Sequence, residues 1–164
     1  MKFWNIKTKV IFFLIALLIA ITDQWIKLVI VTHFAEGHVL PVIPKFFNLV
    51  LAYNPGVAFG VFAGIDHDTS RYLVLGITSL IALFAVYYFS NTEIGERPLG
   101  VVALAMIIGG AVGNLIDRLL LGKVVDYLDF YYGHYHYPAF NLADSAICVA
   151  VVLLLLLPSK VKSQ

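Results

Sequence analysis

Charged side chains are scarce in this sequence. Asp, Glu, Lys and Arg make up 13% of the 164 residues, hydrophobic residues make up 61%, and the mean hydropathy is +0.91. A soluble domain carries about 25% charged residues, which supply the polar surface over its core. A disordered chain needs still more polarity. The composition therefore excludes both classes and indicates an integral membrane protein.

Cysteine and net charge are also nearly absent. Cys148 is the single cysteine, so the sequence can form neither an internal disulfide nor a cysteine-cluster metal site. The formal net charge is +1, which leaves no basic field to attract phosphates. Nucleic acid is therefore not an expected partner.

Four apolar segments reach the length of about 20 residues that a membrane-spanning helix needs. They cover approximately residues 10–32, 72–89, 99–121 and 140–157. Backbone groups in hydrocarbon must be hydrogen-bonded within their own segment, so the spans are predicted to be helices. The sequence thus predicts an all-α integral membrane protein with a single membrane domain over residues 1–164. A cleaved signal peptide is the alternative for the first segment, but its apolar pattern resumes after Lys27, which favours a retained helix.

The basic residues lie mainly beside one side of the predicted spans. Six belong to the two tails and the short middle loop, and three belong to the long loops 33–71 and 122–139: Lys2, Lys7, Lys9, Arg97, Lys160 and Lys162 against Lys45, Arg71 and Lys123. Cytoplasmic loops carry the excess of Lys and Arg. Both termini are therefore predicted to be cytoplasmic, and the two long loops extracytoplasmic.

Two parts of the long loops have the alternation of a β-strand. Residues 46–53 alternate on two faces before the turn signal Asn54-Pro55-Gly56, and residues 124–130 form a second run. Together they predict a small extracytoplasmic β-sheet at the membrane surface. The segment from Asn54 to Ile65 is a candidate for a mobile lid.

Ionisable residues inside or beside membrane spans are costly to bury, so each is a candidate site residue. Asp23 and Lys27 are spaced i, i+4 with the acid first, which favours an ion pair within the helix. Structural support of the site is the preferred interpretation. The alternatives are a self-neutralising pair that snorkels to the outer surface and a direct chemical role.

The last two spans each carry polar residues on one helical face. Asn114, Asp117 and Arg118 share a face with Gly110 near the end of the third span, and Asn141, Asp144 and Cys148 share a face at the start of the fourth. A packing seam and a helix N-terminal preference for acid are the alternative interpretations. Cys148 is interpreted as a packing residue.

Asp126 lies on an apolar strand face between these helices, where a carboxylate is out of place unless it is used. With Asp144 it would form a pair that shares one proton, one acting as base and the other as acid. Such a pair can activate water against an amide without metal or cofactor. Asp129 points the other way and is predicted to be exposed. His134 and His136 are interpreted as residues of a wet loop, since two His are too few for a structural zinc site.

At these residues the chain resembles the bacterial lipoprotein signal peptidases, or type II signal peptidases. Five short motifs carry the resemblance, in the family's order, over nearly the whole chain: Thr22-Asp23-Gln24 with Lys27, Asn54 to Gly60, Gly113 to Arg118, Val124 to Phe130, and Phe140 to Ser145. The Tyr- and His-rich stretch 131–137 belongs to none of them.

The resemblance implies an aspartic endopeptidase of the bacterial inner membrane that cuts a prolipoprotein before its diacylglyceryl-modified cysteine. Asp126 and Asp144 match the catalytic pair. The polar supporting residues, which with Gly56 are the candidates for substrate binding, are Asn54, Asn114, Arg118 and Asn141, backed by Asp23 and Lys27. The implied partners are the prolipoprotein and membrane lipid, and a monomer without metal or cofactor is expected.

Two other functions predict buried polar residues as well. A small transporter subunit would place them near the bilayer midplane or along a pore, whereas here they gather at one end of the spans. A non-enzymatic assembly factor that binds signal peptides or lipid would tolerate Asp126→Asn and Asp144→Asn, which a peptidase would not.

Overall fold

The computed structural model describes residues 5–55, 76, 80, 83, 87 and 97–157. Three helices and four strands follow one another in this part of the chain. The helices are α1 (Ile6–His33), α2 (Pro98–Leu121) and α3 (Leu142–Leu156), and the strands are β1 (Val39–Ile43), β2 (Phe47–Asn54), β3 (Val124–Tyr132) and β4 (Tyr135–His136).

The helix ends carry the signals expected from the sequence. Asn5 caps α1 by accepting a hydrogen bond from the Thr8 amide, and Pro98 opens α2, where its missing N–H is not needed. Gly122 ends α2 in the left-handed conformation at φ 74°, which glycine adopts without a Cβ clash. β3 starts two residues after Gly122, so the chain passes directly from the end of α2 into this strand.

Among the described residues, two helices are long and apolar enough to cross a membrane: α1 with 28 residues and α2 with 24. α3 is apolar but has 15 residues. Within the predicted span 72–89, the described positions are Gly76, Leu80, Leu83 and Tyr87, and all four are helical. The structure thus supports a membrane fold with two clear apolar helices, while four spans and the all-α class are not confirmed.

Glycines let the three helices approach closely. A Cβ on Gly109 would lie 2.6 Å from the Ala16 carbonyl oxygen of α1, and one on Gly110 would lie 2.5 Å from the Ala143 carbonyl oxygen of α3. Such small residues allow backbone-to-backbone packing in membranes, where helices gain little from the hydrophobic effect. α2 is therefore clamped between α1 and α3, and polar side chains on its facing sides are brought within bonding distance.

The predicted sheet is confirmed and is antiparallel, with strand order β1-β2-β3-β4. β2 pairs with β3 from Phe47↔Phe130 to Asn54↔Val124, with a register shift between Leu49 and Ala52. Below it, Ile30 of α1 packs with Leu51, Val125 and Tyr127. The sheet thus lies across the end of α1, beside the end of α2 and the start of α3.

Candidate active site

The described polar residues of the spans meet where the sheet covers the helix ends. Asp23 of α1 has no exposed surface, and Lys27 is 3% exposed. The Lys27 ammonium contacts Asp23 Oδ2 at 2.8 Å and Asp117 Oδ2 at 2.9 Å. This burial rules out the snorkelling alternative, because the lysine points into the bundle.

Lys27 also fixes the orientation of an amide on α2. Its Nζ donates to Asn114 Oδ1 at 3.0 Å, and the Asn141 Nδ2 donates to the same oxygen at 3.1 Å. With its oxygen held by two donors, Asn114 turns its own Nδ2 to Asp144 Oδ1, 2.7 Å away. The ion pair on α1 is therefore connected to a carboxylate on α3 through one side chain.

Asn141 makes the corresponding connection to the strand. It is fully buried, and its Nδ2 donates to Asp126 Oδ1 at 2.8 Å. Asn141 also forms a capping box with Asp144: the Asp144 N–H donates to Asn141 Oδ1 at 3.0 Å, and the Asn141 N–H donates to Asp144 Oδ2 at 3.3 Å. Asp126 and Asp144 are thus both bound to the same asparagine.

Asp126 is 3% exposed, and the Asn54 Nδ2 donates to its second oxygen at 3.1 Å. Burial and, second, the charge of Asp144 raise the pKa of Asp126 from 3.8 to about 6, against the opposing hydrogen bonds from Asn54 and Asn141. The two carboxyl groups therefore feel each other's charge. Asp126 can therefore keep its proton up to a pH of about 6.

Arg118 and Tyr127 complete the surroundings. Arg118 Nη1 lies 3.5 Å from the Asn114 carbonyl oxygen, and its charge interacts with those of Asp144 and Asp126. The Leu142 N–H, in the first turn of α3, donates to the Tyr127 hydroxyl at 3.1 Å. Burial raises the pKa of Tyr127 to about 12, so this hydroxyl stays neutral.

The structure brings together eight of the nine predicted site residues, and Gly56 lies outside the described residues, as does most of the lid candidate 54–65. Two further residues, Gln24 and Asp117, belong to this network but were not among the predicted site residues. Gln24 donates to Asp117 Oδ1 at 2.8 Å and to the Gly113 carbonyl oxygen at 3.0 Å. Asp117 follows Asn114 by about one helical turn, and this spacing was the sequence signal that places Asp117 beside the site.

Two predictions outside the site are wrong. Asp129 is 6% exposed and not solvated, because Asn48 Nδ2 donates to it at 2.7 Å and the His136 Nδ1 lies 2.8 Å away. Cys148 is exposed on α3 and not packed. Among the described residues, no group of three or more His, Cys, Asp or Glu side chains is placed to hold a metal ion.

The family model for signal peptidase (SPase) II matches residues 15–158 of this chain. The chain belongs to the signal peptidase II family. The resemblance predicted from the five motifs is thereby confirmed, and these motifs supply the residues of the network described above.

Relatives of known sequence agree with this membership of the signal peptidase II family. The lipoprotein signal peptidase of Desulforapulum autotrophicum is 45% identical over 140 residues, covering 85% of this chain and 86% of the relative. That of Neisseria meningitidis is 41% identical over 152 residues, covering 93% and 91%. A solved bacterial membrane enzyme is 34% identical with a TM-score of 0.77, over 94% of this chain and 88% of the other.

Proposed function

We propose that this protein removes the signal peptides of prolipoproteins by aspartic peptidase chemistry at Asp126 and Asp144. Removal of the signal peptide is supported by membership of the signal peptidase II family. The aspartic mechanism is supported by one observation above all. Two carboxyl groups from separate elements both accept hydrogen bonds from Asn141, that of Asp126 from its side-chain NH₂ and that of Asp144 from its backbone N–H, and the pKa of Asp126 is raised to about 6.

A pair of acids that holds one proton supplies both functions that amide hydrolysis needs. The ionised carboxylate takes a proton from a water molecule, whose oxygen attacks the scissile carbonyl carbon. The protonated carboxyl then donates its proton to the leaving amide nitrogen, and the carbon–nitrogen bond breaks. No metal or cofactor takes part in these steps.

The amides around the pair hold this chemistry in place. Asn114, Asn141 and Asn54 each donate to one of the two carboxyl groups, so the carboxyl oxygens cannot rotate freely. Arg118 is proposed to hold a substrate carbonyl or a lipid phosphate. Asp23 and Lys27 support the site through Asn114.

Four spans with both termini in the cytoplasm agree with the direction of the described helices. α1 and α2 run in the same direction, since Ala16 meets Gly109 and Asp23, later in α1, meets Gly113, later in α2. The chain must therefore cross back between them, and residues 72–89 are the apolar stretch available. With Lys7 and Lys9 at the start of α1, the active site lies near the extracytoplasmic face of the inner membrane.

This location suits a substrate that is itself in the bilayer. A signal peptide and a diacylglyceryl chain are both apolar, and a site at the helix ends can receive both laterally. We therefore propose cleavage directly before the diacylglyceryl-modified cysteine, by a monomer surrounded by lipid.

The test uses purified protein in detergent with a lipidated precursor peptide. Wild-type protein is expected to cleave it, with and without a metal chelator, and Asp126→Asn and Asp144→Asn are expected to lose cleavage by a factor of about 10³ or more. Asp129→Asn, a buried acid of the same strand with other partners, serves as the matched control and is expected to retain it. Cleavage retained in both dyad variants would contradict the assignment, and binding without cleavage by wild type would favour the assembly factor.

A further inference from the structure

One edge of β3 is held by helix side chains where a sheet would normally have another strand. β2 pairs with one edge, and β4 meets the other edge only at Tyr131 and Tyr132. Phe140 bonds the backbone of Tyr127 and Leu128 there, and among the described residues no strand or bridge extends this pairing to Val125. Backbone groups there need other partners, because a buried N–H or C=O left unbonded is costly.

The partners at Val125 are both side chains. Its N–H donates to Asp117 Oδ2 at 3.0 Å, and its C=O accepts from Asn141 Nδ2 at 3.2 Å. In an antiparallel strand the N–H and C=O of one residue point to the same edge. Asp117 and Asn141 therefore replace the missing strand at the residue that directly precedes Asp126.

Asp117 is itself held on three sides. It is 3% exposed, and besides Val125 it accepts from Gln24 Nε2 at 2.8 Å and pairs with Lys27 Nζ at 2.9 Å. Both α1 donors are thus directed at one carboxylate of α2. A carboxylate that is fixed by two side chains of another helix is a rigid attachment point for the strand.

We propose that Asp117 is a positioning residue for peptide cleavage, acting through the Val125 N–H to hold the Asp126 carboxyl against Asp144. The proposal rests on the dyad assigned under the proposed function. Asp126 takes its place from the backbone on either side of it, and Asp117 binds that backbone to α2, which carries Asn114, and through Gln24 and Lys27 to α1. Loss of this bond displaces Asp126 relative to Asp144 without removing any group that contacts the substrate.

A small displacement of a catalytic group lowers turnover much more than substrate binding. In Asp117→Asn an NH₂ group replaces one carboxylate oxygen. This group donates and cannot accept, so it loses either the bonds from Lys27 and Val125 or the bond from Gln24. We expect kcat to fall by about 10- to 100-fold while KM changes by less than about 3-fold. Asp129→Asn makes the same chemical change at a buried acid of β3 and is expected to leave kcat within about 3-fold of wild type.

Backbone hydrogen exchange distinguishes a positioning role of Asp117 from a general structural role. In Asp117→Asn the exchange protection of the Val125 amide is expected to fall by at least about 10-fold, whereas amides of β2 and of the α1 core keep theirs. A uniform loss of protection over the whole protein, with a matching loss of thermal stability, would overturn the proposal. Wild-type kcat in Asp117→Asn would overturn it as well.

A backbone variant tests the same bond if Asp117→Asn does not fold. Replacing Val125 by its α-hydroxy acid puts an ester oxygen where the N–H was and leaves the Asp117–Lys27 pair untouched. We expect the same fall in kcat with KM retained, and a wild-type kcat would overturn the proposal. Wild type and Asp126→Asn are assayed alongside. If wild type fails to cleave, the proposed function fails. If wild type cleaves, Asp126→Asn does not, and the Val125 and Asp117 variants match wild type, the positioning role alone fails.

Discussion

Asp126 and Asp129 lie three residues apart on β3 and are both buried, but their surroundings differ. Asp126 accepts hydrogen bonds from the neutral amides of Asn54 and Asn141 and faces a second carboxylate, Asp144. Asp129 accepts from Asn48 and from His136, a side chain that can carry positive charge. The first environment raises the pKa of Asp126, and the second joins Asp129 to β2 and β4.

With Asp126 and Asp144 as the proposed pair, burial alone does not make an acid catalytic. Desolvation raises the free energy of any buried carboxylate, but a cationic or strongly donating partner offsets that cost. Lys27 is engaged with Asp23 and Asp117, and its effect on the pKa of Asp126 is the smallest of the causes. The protein thus uses its buried lysine to build the site, while the charge of Arg118 interacts with both Asp126 and Asp144.

The largest expected difference between the surroundings of Asp126 and those of Asp129 comes from the asparagines that donate to each acid. Asn141→Ala removes the side-chain donor to Asp126 and the oxygen that caps α3 at the Asp144 N–H, so kcat is expected to fall by about 100-fold or more, since each tenfold corresponds to about 1.4 kcal/mol. Asn48→Ala removes the partner of Asp129, and kcat is expected to stay within about 3-fold. Steady-state cleavage of a lipidated precursor peptide measures both. Equal losses in the two variants would mean that the regions are not functionally distinct.

Lys27 and His136, the basic side chains beside the two regions, are expected to differ in their effect on stability. Lys27→Met leaves Asp23 and Asp117 as buried carboxylates without their ammonium, which is expected to cost about 3–5 kcal/mol. The His136 side chain is 53% exposed, so His136→Gln is expected to cost no more than about 1 kcal/mol. Chemical unfolding in detergent gives both free energies of unfolding. A loss below about 1 kcal/mol for Lys27→Met would show that the two carboxylates find other partners.

The smallest expected effect is a pH dependence of stability carried by Asp126. Its folded pKa of about 6 lies above the ordinary 3.8, so between these values the folded protein binds more protons than the unfolded chain. The free energy of unfolding therefore falls as the pH rises from about 4 to about 6. In Asp126→Asn this contribution is absent, and the melting temperature of the variant relative to wild type is expected to rise over that range. A constant difference from pH 4 to pH 7 would contradict the raised pKa.

Much of the site was predictable because its residues are polar in segments that are otherwise apolar. Asp23, Lys27 and Asn114 are polar in apolar helices, and Asp126 is an acid on an apolar strand face. Motif order predicted the family, and alternation predicted the two central strands. Asp129 was predicted incorrectly because the alternation of a strand gives the side to which a residue points but not what covers that side. Asn48 and the β3–β4 hairpin cover it here.

The sequence by itself determined that this chain belongs in a membrane, which family it is a member of, and which polar residues are costly enough to require a use. These are properties of composition and spacing, and they need no knowledge of distant contacts. Only the tertiary structure decided which polar groups meet. The connection of Lys27 through Asn114 to Asp144 joins residues that are 87 and 30 positions apart, on helices that glycines bring together. Local pattern contains no record of such pairings, because they are set by packing.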